Sequence, residues 1–536
     1  MVYAVLSQTQ TVVDPEVSKL LRKQAIEACD YEAGEYISPI FTRPKKDGSP
    51  RMILNLKSLN KNITHHHFKM DAMLTAVRLM KPGCFMASID LKDACYSKMP
   101  DFQKYLKFSW RGQLYKIVCF ANGLAPCPRQ FTKLLKPVFS SLRKLGHISV
   151  VYIDDTWLTS EDYNSCVNNI AETITLLDRL GFVIHPQKSM LIPTQQITFL
   201  GFIFNSANMT LKFTPERALK LKTACLENLE AMPPHPILGM WPGYYNPGLM
   251  YGALHYRALH MEKTCALKQN KGNFGRPMTL SSEAKSDIQW WIDSISEAYN
   301  PVNHGDPDII MTTDACLSGW GAYLDGMTTG GRWNPDKATH DINFLEMLAV
   351  LFALQSFSDK VSAKHIKVMV DNTTAVATIN QMSTCHSNLN NKLVQQIWEW
   401  CILHGVRLTV AHIPGKSNTE ADKESRLSRK ETEWCIDRSI YSAAIQKLDV
   451  TPDIDLFASR LNHQLKSYIA YRPDPGALAV SVFHISWKEY TFYAFPPFCI
   501  IQRVLQKINI DQATGIIHSS QLANPSLVAI SHVHAN

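Results

Sequence analysis

Two stretches of the chain alternate short apolar runs of strand length with helical apolar stripes. The first extends from Lys19 to about Glu230, and the second from Ile309 to about Arg426. Between them, the segment Met232–Pro247 contains five prolines. Because proline cannot continue a helix interior, this density predicts a linker or an irregular segment.

Acidic residues in the first stretch lie next to predicted strands. Apolar spacing predicts a helix over Asp71–Met80 and then a buried strand over Cys84–Ile89 that ends at Asp90. The strand-like runs Ile148–Ile153 and Thr156–Thr159 flank two further acids. This pattern predicts a hairpin with both acids at its turn.

Helical signals follow in two places. Apolar positions from Val167 to Leu177 predict a helix that ends at Gly181, since glycine is favoured just past a helix end. A second helix is predicted over Ser281–Ile295. Beyond the second stretch, Asp453–Pro497 is rich in aromatic residues and prolines and is interpreted as packing, and the last thirty residues show no strong period.

Composition places the chain among globular proteins. Its 536 residues are 46% hydrophobic and 19% charged, which excludes a disordered or collagen-like chain and favours about three or four domains. The 13 cysteines never form a Cys-x-x-Cys pair, which is typical of reduced thiols. No apolar run reaches the length of a membrane span, and the first residues lack a secretory signal pattern. We therefore expect an intracellular protein, cytoplasmic or nuclear or both.

Positive charge is concentrated in the first half. Between Tyr31 and Val150 there are 20 Lys and Arg against 7 Asp and Glu, a surplus of 13. The whole chain has a net charge of +8, so the remainder is net acidic by 5. This asymmetry predicts either a polyanionic partner such as nucleic acid or an ordinary solvated basic surface.

Asp154 and Asp155 stand side by side between apolar runs. Neighbouring carboxylates repel one another and destabilise a fold unless a cation lies between them. Mg²⁺ prefers oxygen ligands and is the natural occupant. Asp90, delivered from a neighbouring strand, would complete a site for two ions that activate a hydroxyl and stabilise a phosphate leaving group, although alone it is equally typical of a solvated acid.

The second stretch contains four ordered acids that favour a second metal site: Asp314, Glu346, Asp371 and Asp422. Two of them follow the strand-like runs Ile309–Thr313 and His365–Val370. The glutamate lies in a strongly apolar helix, where an unpaired buried acid is costly, and the last acid opens a helix after Gly415. Four such acids can surround a pair of Mg²⁺ ions and hydrolyse a phosphodiester.

Six motifs occur in the order of the fingers and palm of a reverse transcriptase: SPIFTRPKKDGSPRMILNLKSLN, ASIDLKDA, GLAPCPRQFTKLLKPVF, YIDD, GFVIHPQKS and FLGF. Over Ile26–Leu229 the chain resembles these polymerases, and its phrasing is most similar to that of DIRS-type retrotransposons, which are related to the gypsy group. The resemblance implies that Asp90, Asp154 and Asp155 hold the metal ions.

The same resemblance implies roles for residues around these acids. Lys45 or Lys46 and Arg51 would grip the incoming triphosphate, Asn122 and Gly123 would lie along the nucleotide and template, Lys188 would act near the leaving pyrophosphate, and Leu200 and Gly201 would form the primer grip. The position of Cys95 normally holds a bulky aromatic residue that blocks a ribose 2′-hydroxyl. Unless Tyr96 covers the gap, we expect weaker rejection of ribonucleotides.

Four later motifs resemble the ribonuclease H domain that follows the polymerase in such elements: TDACLSGWGA, INFLEMLA, VMVDNTTAV and HIPGKSNTEAD. The resemblance implies that Asp314, Glu346, Asp371 and Asp422 cut the RNA strand of an RNA–DNA hybrid. Each active site would hold two Mg²⁺ ions, with Mn²⁺ as a substitute. His412 lies ten residues before Asp422, the separation of a general-base histidine, but its phrase also fits a structural histidine on a strand.

These observations predict a multidomain chain of α+β and α/β class, with right-hand polymerase fingers and palm followed by a connection and a ribonuclease H-like α/β domain. The expected domains are fingers and palm (1–231), a degenerate thumb or connection (232–305), the ribonuclease H-like domain (306–430) and an aromatic, proline-rich C-terminal extension (431–536).

The predicted function is an RNA-directed DNA polymerase with ribonuclease H activity that copies retrotransposon RNA into DNA. Its expected partners are an RNA template, a DNA primer, the RNA–DNA hybrid and dNTPs, with no membrane partner and with recombinase and capsid-like proteins on other chains. Two alternatives stay open: a catalytically decayed relic that only binds nucleic acid, and the polymerase of a pararetrovirus.

Overall fold

A computed structural model describes residues 2–44, 50–64, 66, 68, 70, 73–92, 103–121, 123–230, 248–273, 278–296, 299–302, 305–384, 387–427, 435–520 and 528–533. The chain divides into two compact units. The first comprises Met1–Met250 with Gln289–Asn303, and the second comprises Tyr251–Ile288 with His304–Asn536. No helix in the described part of the chain has both the length and the apolar character that crossing a bilayer requires.

The first unit is a mixture of helices and mainly antiparallel strands. Its helices are α1 (Val2–Arg22), α2 (Lys57–Asn60), α3 (Met73–Leu79), α4 (Cys127–Lys144), α5 (Tyr163–Arg179) and α6 (Pro215–Glu230). Its strands are β1 (Ile26–Cys29), β2 (Ile40–Pro44), β3 (Pro50–Leu54), β4 (Phe85–Lys92), β5 (Lys107–Trp110), β6 (Gln113–Ile117), β7 (Ile148–Tyr152), β8 (Asp155–Ser160), β9 (Val183–Ile184), β10 (Met190–Thr194), β11 (Gln196–Phe199), β12 (Phe202–Asn205), β13 (Thr210–Phe213) and β14 (Asn300–Pro301).

One sheet of this unit has the order β10-β4-β8-β7, and β9 also pairs with β4. Helices α4 and α5 cover it with the apolar side chains Phe131, Phe139 and Leu177, which are at most 2% exposed. Helix α5 begins after Asp162, whose carboxylate accepts a hydrogen bond from the Ser165 amide. These buried contacts hold the β7–β8 hairpin against β4.

Three further sheets complete the described part of the first unit. Strands β1, β6 and β5 form a three-stranded sheet, and β2 pairs with β3. Val13 and Val17 of α1 pack with Ile26 and Phe108 in a small core beside them. Strands β11 to β14 form a four-stranded antiparallel sheet in chain order.

The second unit begins with helices and continues into two sheet-containing parts. Its helices are α7 (Arg257–Gln269), α8 (Ser282–Ser294, within which the boundary between the units falls), α9 (Ile342–Ser356), α10 (Ser358–Val361), α11 (Thr373–Asn380), α12 (Asn388–Leu403), α13 (Thr419–Arg426), α14 (Arg438–Leu448) and α15 (Ile501–Asp511). Its strands are β15 (Ile309–Ala315), β16 (Gly319–Leu324), β17 (Met327–Arg332), β18 (His365–Val370), β19 (Arg407–His412), β20 (Ile454–Asp455), β21 (Ile469–Ala470), β22 (Ala479–Val480), β23 (Thr491–Ala494), β24 (Thr514–Ser520) and β25 (Val528–Val533).

The larger sheet of this unit has the order β17-β16-β15-β18-β19. Strands β15 to β17 are antiparallel, whereas β18 runs parallel to both β15 and β19. Helix α9 is buried on nearly every side, which explains its uniformly apolar sequence. Its N-terminus is capped by Asp341, which accepts hydrogen bonds from two backbone amides of the first turn. The predicted mixture of α+β and α/β structure is therefore confirmed.

The C-terminal extension forms a sheet of its own with the order β20-β23-β24-β25. Trp487 and Phe492 are fully buried in its core, together with Val504 of α15. The last thirty residues, which showed no periodicity, contribute β24 and β25 in their described part. Alternation is missing in β24 because four successive residues, Gly515 to His518, are all buried.

Several element bounds differ from the sequence prediction. The strand predicted over Cys84–Ile89 extends through Lys92, so Asp90 lies inside it rather than at its end. Asp155 begins β8, so the hairpin turn consists of Ile153 and Asp154. Ladder pairing with β8 and β9 continues β4 past the acid, which composition alone does not reveal. The segment Met232–Pro247 lies outside the described residues.

Candidate active sites

The first candidate site is formed by β4 and the β7–β8 hairpin. Asp90 is the direct cross-strand partner of Asp155, and residues opposite one another in antiparallel strands have neighbouring side chains. Asp154 lies in the adjoining turn, where its carbonyl accepts a hydrogen bond from the Leu91 amide at 3.0 Å. Register therefore brings the three predicted acids of the first stretch together.

The hairpin turn adopts an unusual backbone conformation. Ile153 has φ +56°, in the left-handed region that a β-branched residue rarely enters. This conformation lets the chain reverse between Tyr152 and Asp155 in only two residues. It sets Asp154 beside β4 at a cost of roughly 1–2 kcal/mol.

Burial and neighbouring charges shift the pKa values of two of these acids. Burial, followed by the neighbouring charges of Asp154 and Asp90, raises the pKa of Asp155 to about 6. Burial also raises the pKa of Asp154. The Lys188 ammonium lies 3.9 Å from Asp90 Oδ2 and offsets part of this repulsion. A divalent ion bound to these acids would keep them ionised.

The remaining predicted residues of the first unit are placed unevenly. Gly123 has φ +94°, and its carbonyl accepts a hydrogen bond from the Asn60 side chain. The backbone of Arg51 lies in β3, opposite Arg43. Four predicted nucleotide-binding residues lie outside the described residues: Lys45, Lys46, Cys95 and Asn122.

The predicted primer grip, Leu200 and Gly201, forms the turn between β11 and β12 with φ values of +48° and +77°. Arg217 of α6 donates a hydrogen bond from Nη1 to the Leu200 carbonyl at 2.5 Å. Its guanidinium also lies over the Phe202 ring, 4.2 Å from the ring centroid. The sequence analysis missed Arg217, since nothing in the spacing of α6 points back to this turn.

The second candidate site joins three of the four predicted acids of the second stretch. Asp314 lies in β15, Glu346 in α9, and Asp371 directly after β18. One ligand oxygen from each lies within 4.8 Å of the others. Asp314 was expected after its strand but lies within it, because β15 extends through Ala315 to pair with β16.

Burial dominates the electrostatics of this site. It raises the pKa of Glu346 to about 9, with further contributions from the charges of Asp314 and Asp371. It also raises the pKa of Asp314 to about 6, although the Ser425 hydroxyl opposes this shift. Glu346 Oε2 is buried and has no hydrogen-bond partner among the described residues. An unpaired buried oxygen beside two carboxylates fits a divalent cation, which would satisfy it.

Asp422 does not belong to this three-acid group. It lies in the middle of α13 and forms an ion pair with Arg426, with 2.6 Å between its Oδ1 and Arg426 Nη2. Its charge still raises the pKa of Asp314, so the two side chains lie close enough to interact. The four-residue spacing of Asp422 and Arg426 on a helix is a signal that would have predicted this pair.

His412 ends β19 and is exposed. Its Cα is the register partner of Val370, the residue before Asp371. The strand position agrees with the structural alternative, and the general-base role stays a prediction.

Sequence reasoning also missed two serines that contact the predicted acids. Ser189 Oγ accepts a hydrogen bond from the Asp90 amide at 3.0 Å. Ser425 Oγ donates one to Asp314 Oδ2 at 2.7 Å. Each serine follows another predicted residue closely in the chain, but its acid partner is about a hundred residues away, so spacing could not reveal the contact.

Two segments of the chain match known families. Residues 43–204 match the family described as reverse transcriptase (RNA-dependent DNA polymerase), and residues 334–428 match the family described as reverse transcriptase-like. Asp90, Asp154 and Asp155 fall inside the first match. Glu346, Asp371 and Asp422 fall inside the second.

The chain is also similar to several polyproteins. It is 23% identical to Polyprotein P3 of Commelina yellow mottle virus over 74% of this chain and 21% of that protein. It is 22% identical to the enzymatic polyprotein of cauliflower mosaic virus (strain Strasbourg) over 78% of this chain and 61% of that protein. With the Transposon Tf2-3 polyprotein of Schizosaccharomyces pombe it shares 21% identity over 75% of this chain and 29% of that protein. The chain thus spans less than two-thirds of the length of these relatives.

Among solved structures, the foamy viral protease-reverse transcriptase in complex with dsDNA is similar at a TM-score of 0.46 and 16% identity, covering 76% of this chain and 83% of that chain. The domain content defines the class: the chain carries the domains of an enzyme, a reverse transcriptase domain followed by a ribonuclease H-like domain. More particularly, the relatives that the chain matches are viral and transposon polyproteins.

Proposed function

We propose that this chain is an RNA-directed DNA polymerase with ribonuclease H activity that copies retroelement RNA into DNA. The observation that carries the proposal is the pairing of Asp90 with Asp155 beside Asp154, inside the segment that matches reverse transcriptases. The proposed substrates are an RNA template, a DNA primer, dNTPs and the RNA–DNA hybrid. The basic surplus between Tyr31 and Val150 supports a polyanionic partner.

In the palm, Asp90, Asp154 and Asp155 would hold two divalent ions, Mg²⁺ or Mn²⁺. When bound, these ions supply activation of the primer hydroxyl and charge stabilisation at the phosphates. Ser189 holds the backbone of Asp90 through the Asp90 amide, which limits the movement of this carboxylate. Lys188, beside Asp90, is suited to hold a proton near the leaving pyrophosphate.

In the ribonuclease H-like domain, Asp314, Glu346 and Asp371 would hold the corresponding ions, with Asp422 as the outlying fourth acid. The apolar body of α9 surrounds Glu346 and excludes water from one side of the site. His412 is retained as the proposed general base, which its exposed position at the strand end permits. Together these residues would cut the RNA strand of a hybrid.

The motif phrasing supports a finer proposal, that the element is a DIRS-type retrotransposon. The alternative of a pararetrovirus polymerase is supported by the similarity to two plant-virus polyproteins. The four-domain division, with a thumb or connection over 232–305, is part of the proposal.

The test of the polymerase is extension of a DNA primer on an RNA template with Mg²⁺, using the full chain and its Asp154→Asn variant. We expect extension by the parent and a loss of about 10³-fold in the variant, because metal charge stabilisation is worth several kcal/mol. No extension with either Mg²⁺ or Mn²⁺ would instead support a decayed relic that only binds nucleic acid.

The ribonuclease H activity is tested separately, by cleavage of a hybrid with labelled RNA. We expect Asp371→Asn to abolish cleavage and to leave primer extension intact, and Asp154→Asn to do the reverse. Each variant is therefore the control for the other. Loss of both activities in either variant would contradict two separate sites.

A further inference from the structure

Ser425 lies one helical turn after Asp422 in α13 and is 2% exposed. Its hydroxyl oxygen is 2.7 Å from Asp314 Oδ2 and 2.9 Å from the Asp422 carbonyl oxygen. A hydroxyl has one proton to donate, and a carboxylate is the stronger acceptor. The proton therefore goes to Asp314, and this bond is buried.

Glycines in the sheet bring Ser425 this close. A Cβ atom on Gly321 would lie 2.6 Å from the Ser425 amide nitrogen, and one on Gly319 would lie 2.8 Å from its carbonyl oxygen. Only residues without a side chain allow the backbone of α13 to approach β16 in this way. Cys316 Sγ contacts the same carbonyl at 3.1 Å. Ser425 is thus held on several sides before any ligand arrives.

A second contact anchors the start of the same helix. Asn418 is 1% exposed and donates a side-chain hydrogen bond to the Thr313 carbonyl, the residue before Asp314, at 2.9 Å. Helix α13 is therefore tied to β15 at both of its ends. The Ser425 hydroxyl is a rigid donor to Asp314, since neither the helix nor the strand moves easily past the other.

We propose that Ser425 is a positioning residue of the ribonuclease H-like site. By occupying one oxygen of Asp314, its hydroxyl fixes the rotamer of this carboxylate and orients it to share a divalent cation with Glu346 and Asp371. The inference rests on the proposed function in one respect, namely that this acid group binds metal. Ser425 itself touches neither the metal nor the substrate.

The expected effect is on metal affinity. Removing a residue that orients a metal ligand typically lowers metal affinity about 10–100-fold. A serine that only fills space would leave metal affinity unchanged. Metal affinity, and not only activity, therefore separates the two roles.

The experiment measures Mn²⁺ binding to the full chain by electron paramagnetic resonance. It uses a parent in which Asp154→Asn and Asp155→Asn remove the palm ligands, so that one site remains. We expect Ser425→Ala to weaken Mn²⁺ binding about 10–100-fold, and Ser425→Thr, which retains the hydroxyl, to restore it to within a few-fold. In the chain with an intact palm, Ser425→Ala raises the Mg²⁺ concentration for half-maximal hybrid cleavage and changes the rate at saturating Mg²⁺ much less.

The matched control is Ser356→Ala. Ser356 is a buried serine of α9 whose hydroxyl, among the described residues, donates to the Phe352 carbonyl of its own helix, so its loss should not alter Mn²⁺ binding. Unchanged affinity in a folded Ser425→Ala protein overturns the proposal. If this variant does not fold, the near-isosteric Ser425→Cys, a weaker donor, replaces it with the same expectation.

The Mn²⁺ measurements distinguish an error in the proposed metal site from an error in the role of Ser425. If the parent binds Mn²⁺ but Asp371→Asn does not reduce binding, the metal assignment in the proposed function is wrong, and the role of Ser425 falls with it. If Asp371→Asn abolishes binding and Ser425→Ala has no effect, only the role of Ser425 is wrong.

Discussion

Glu346 is placed where a charge is least favourable. It is 3% exposed in an apolar helix, faces two other carboxylates, and has a pKa raised to about 9. Without a metal ion, Glu346 is therefore protonated in the folded protein at neutral pH. In the unfolded chain it ionises near its ordinary pKa of about 4.5.

This difference predicts a pH dependence of stability in the metal-free protein. Between about pH 4.5 and 9 the folded state binds the proton of Glu346 and the unfolded state does not, so stability falls as pH rises. Glu346→Gln removes this contribution, so the variant should lose less stability over the same window. Urea unfolding in EDTA at several pH values measures the difference between the two proteins. Parallel pH profiles would contradict the raised pKa.

The sequence predicts the acids of the second site better than it predicts the residues that contact them. Asp314, Glu346 and Asp371 can be identified from the sequence because each interrupts an apolar pattern. The structure brings these three acids together. The contact of Ser425 with Asp314 spans 111 positions and depends on helix packing, which no local pattern records. Asp422 is predicted to join the other acids, but in the structure it lies outside their group and pairs with Arg426.

At the scale of elements, α13 packs closely on β16 and carries Ser425, which contacts Asp314 of the second site. A Cβ on Gly321 would collide with the Ala421 carbonyl and lie 2.6 Å from the Ser425 amide. A Cβ on Gly331, in the neighbouring strand, would come no nearer than 3.8 Å to Trp320 Nε1. These two glycines therefore provide a matched pair of sites.

We expect Gly321→Ala to destabilise the protein by about 1–3 kcal/mol and to weaken hybrid cleavage, because overpacking pushes α13 away. Gly331→Ala should change stability by less than about 0.5 kcal/mol. Thermal unfolding and hybrid cleavage measure both effects. Equal stability and equal hybrid cleavage in the two variants would mean that α13 can shift without loss of either property.

The β11–β12 turn depends on α6 in a similar way. Arg217 holds the Leu200 carbonyl and stacks on Phe202, and both contacts stabilise a turn with two positive φ angles. Two observations favour glycine at position 201. Its φ is positive, and a Cβ there would lie 2.7 Å from Arg217 Nη1. The resemblance implies a primer grip at Leu200 and Gly201 but no turn, and the structure adds the turn and its contacts with Arg217.

Arg217→Ala should reduce primer extension by about tenfold, since a hydrogen bond from a charged donor contributes about 1.5–3 kcal/mol. Hybrid cleavage should be unaffected, because the ribonuclease H-like acids lie in the other unit. Lys220→Ala, an exposed position on the same helix, is the control. A primer-extension assay with equal rates for both variants would contradict a supporting role of Arg217.

For the whole molecule, the distribution of charge is the property that the amino-acid sequence alone locates. The surplus of 13 positive charges between Tyr31 and Val150 lies in the first unit, which contains the palm acids. The three acids of the second site, and Asp422 with them, lie in the net acidic remainder of the chain. The sequence does not predict the path of a bound nucleic acid, because net charge does not specify where on the surface the strand would run.

We expect affinity for an RNA–DNA hybrid to fall steeply with salt, by about 10³-fold or more between 50 and 200 mM if six or more phosphates are neutralised. Fluorescence anisotropy of a labelled hybrid over this range provides the measurement. A shallow dependence would show that the basic residues are a solvated surface, the alternative that charge alone leaves open.

The left-handed conformation of Ile153 has a consequence for the evolution of the chain's stability. Glycine at this position would adopt the same turn without strain and would make the hairpin easier to form, but it would also free the backbone that places Asp154. The protein thus holds a small amount of instability at the point where its chemistry is expected. A search for stabilising substitutions would find this residue early, and accepting one would exchange a defined geometry for a more robust fold.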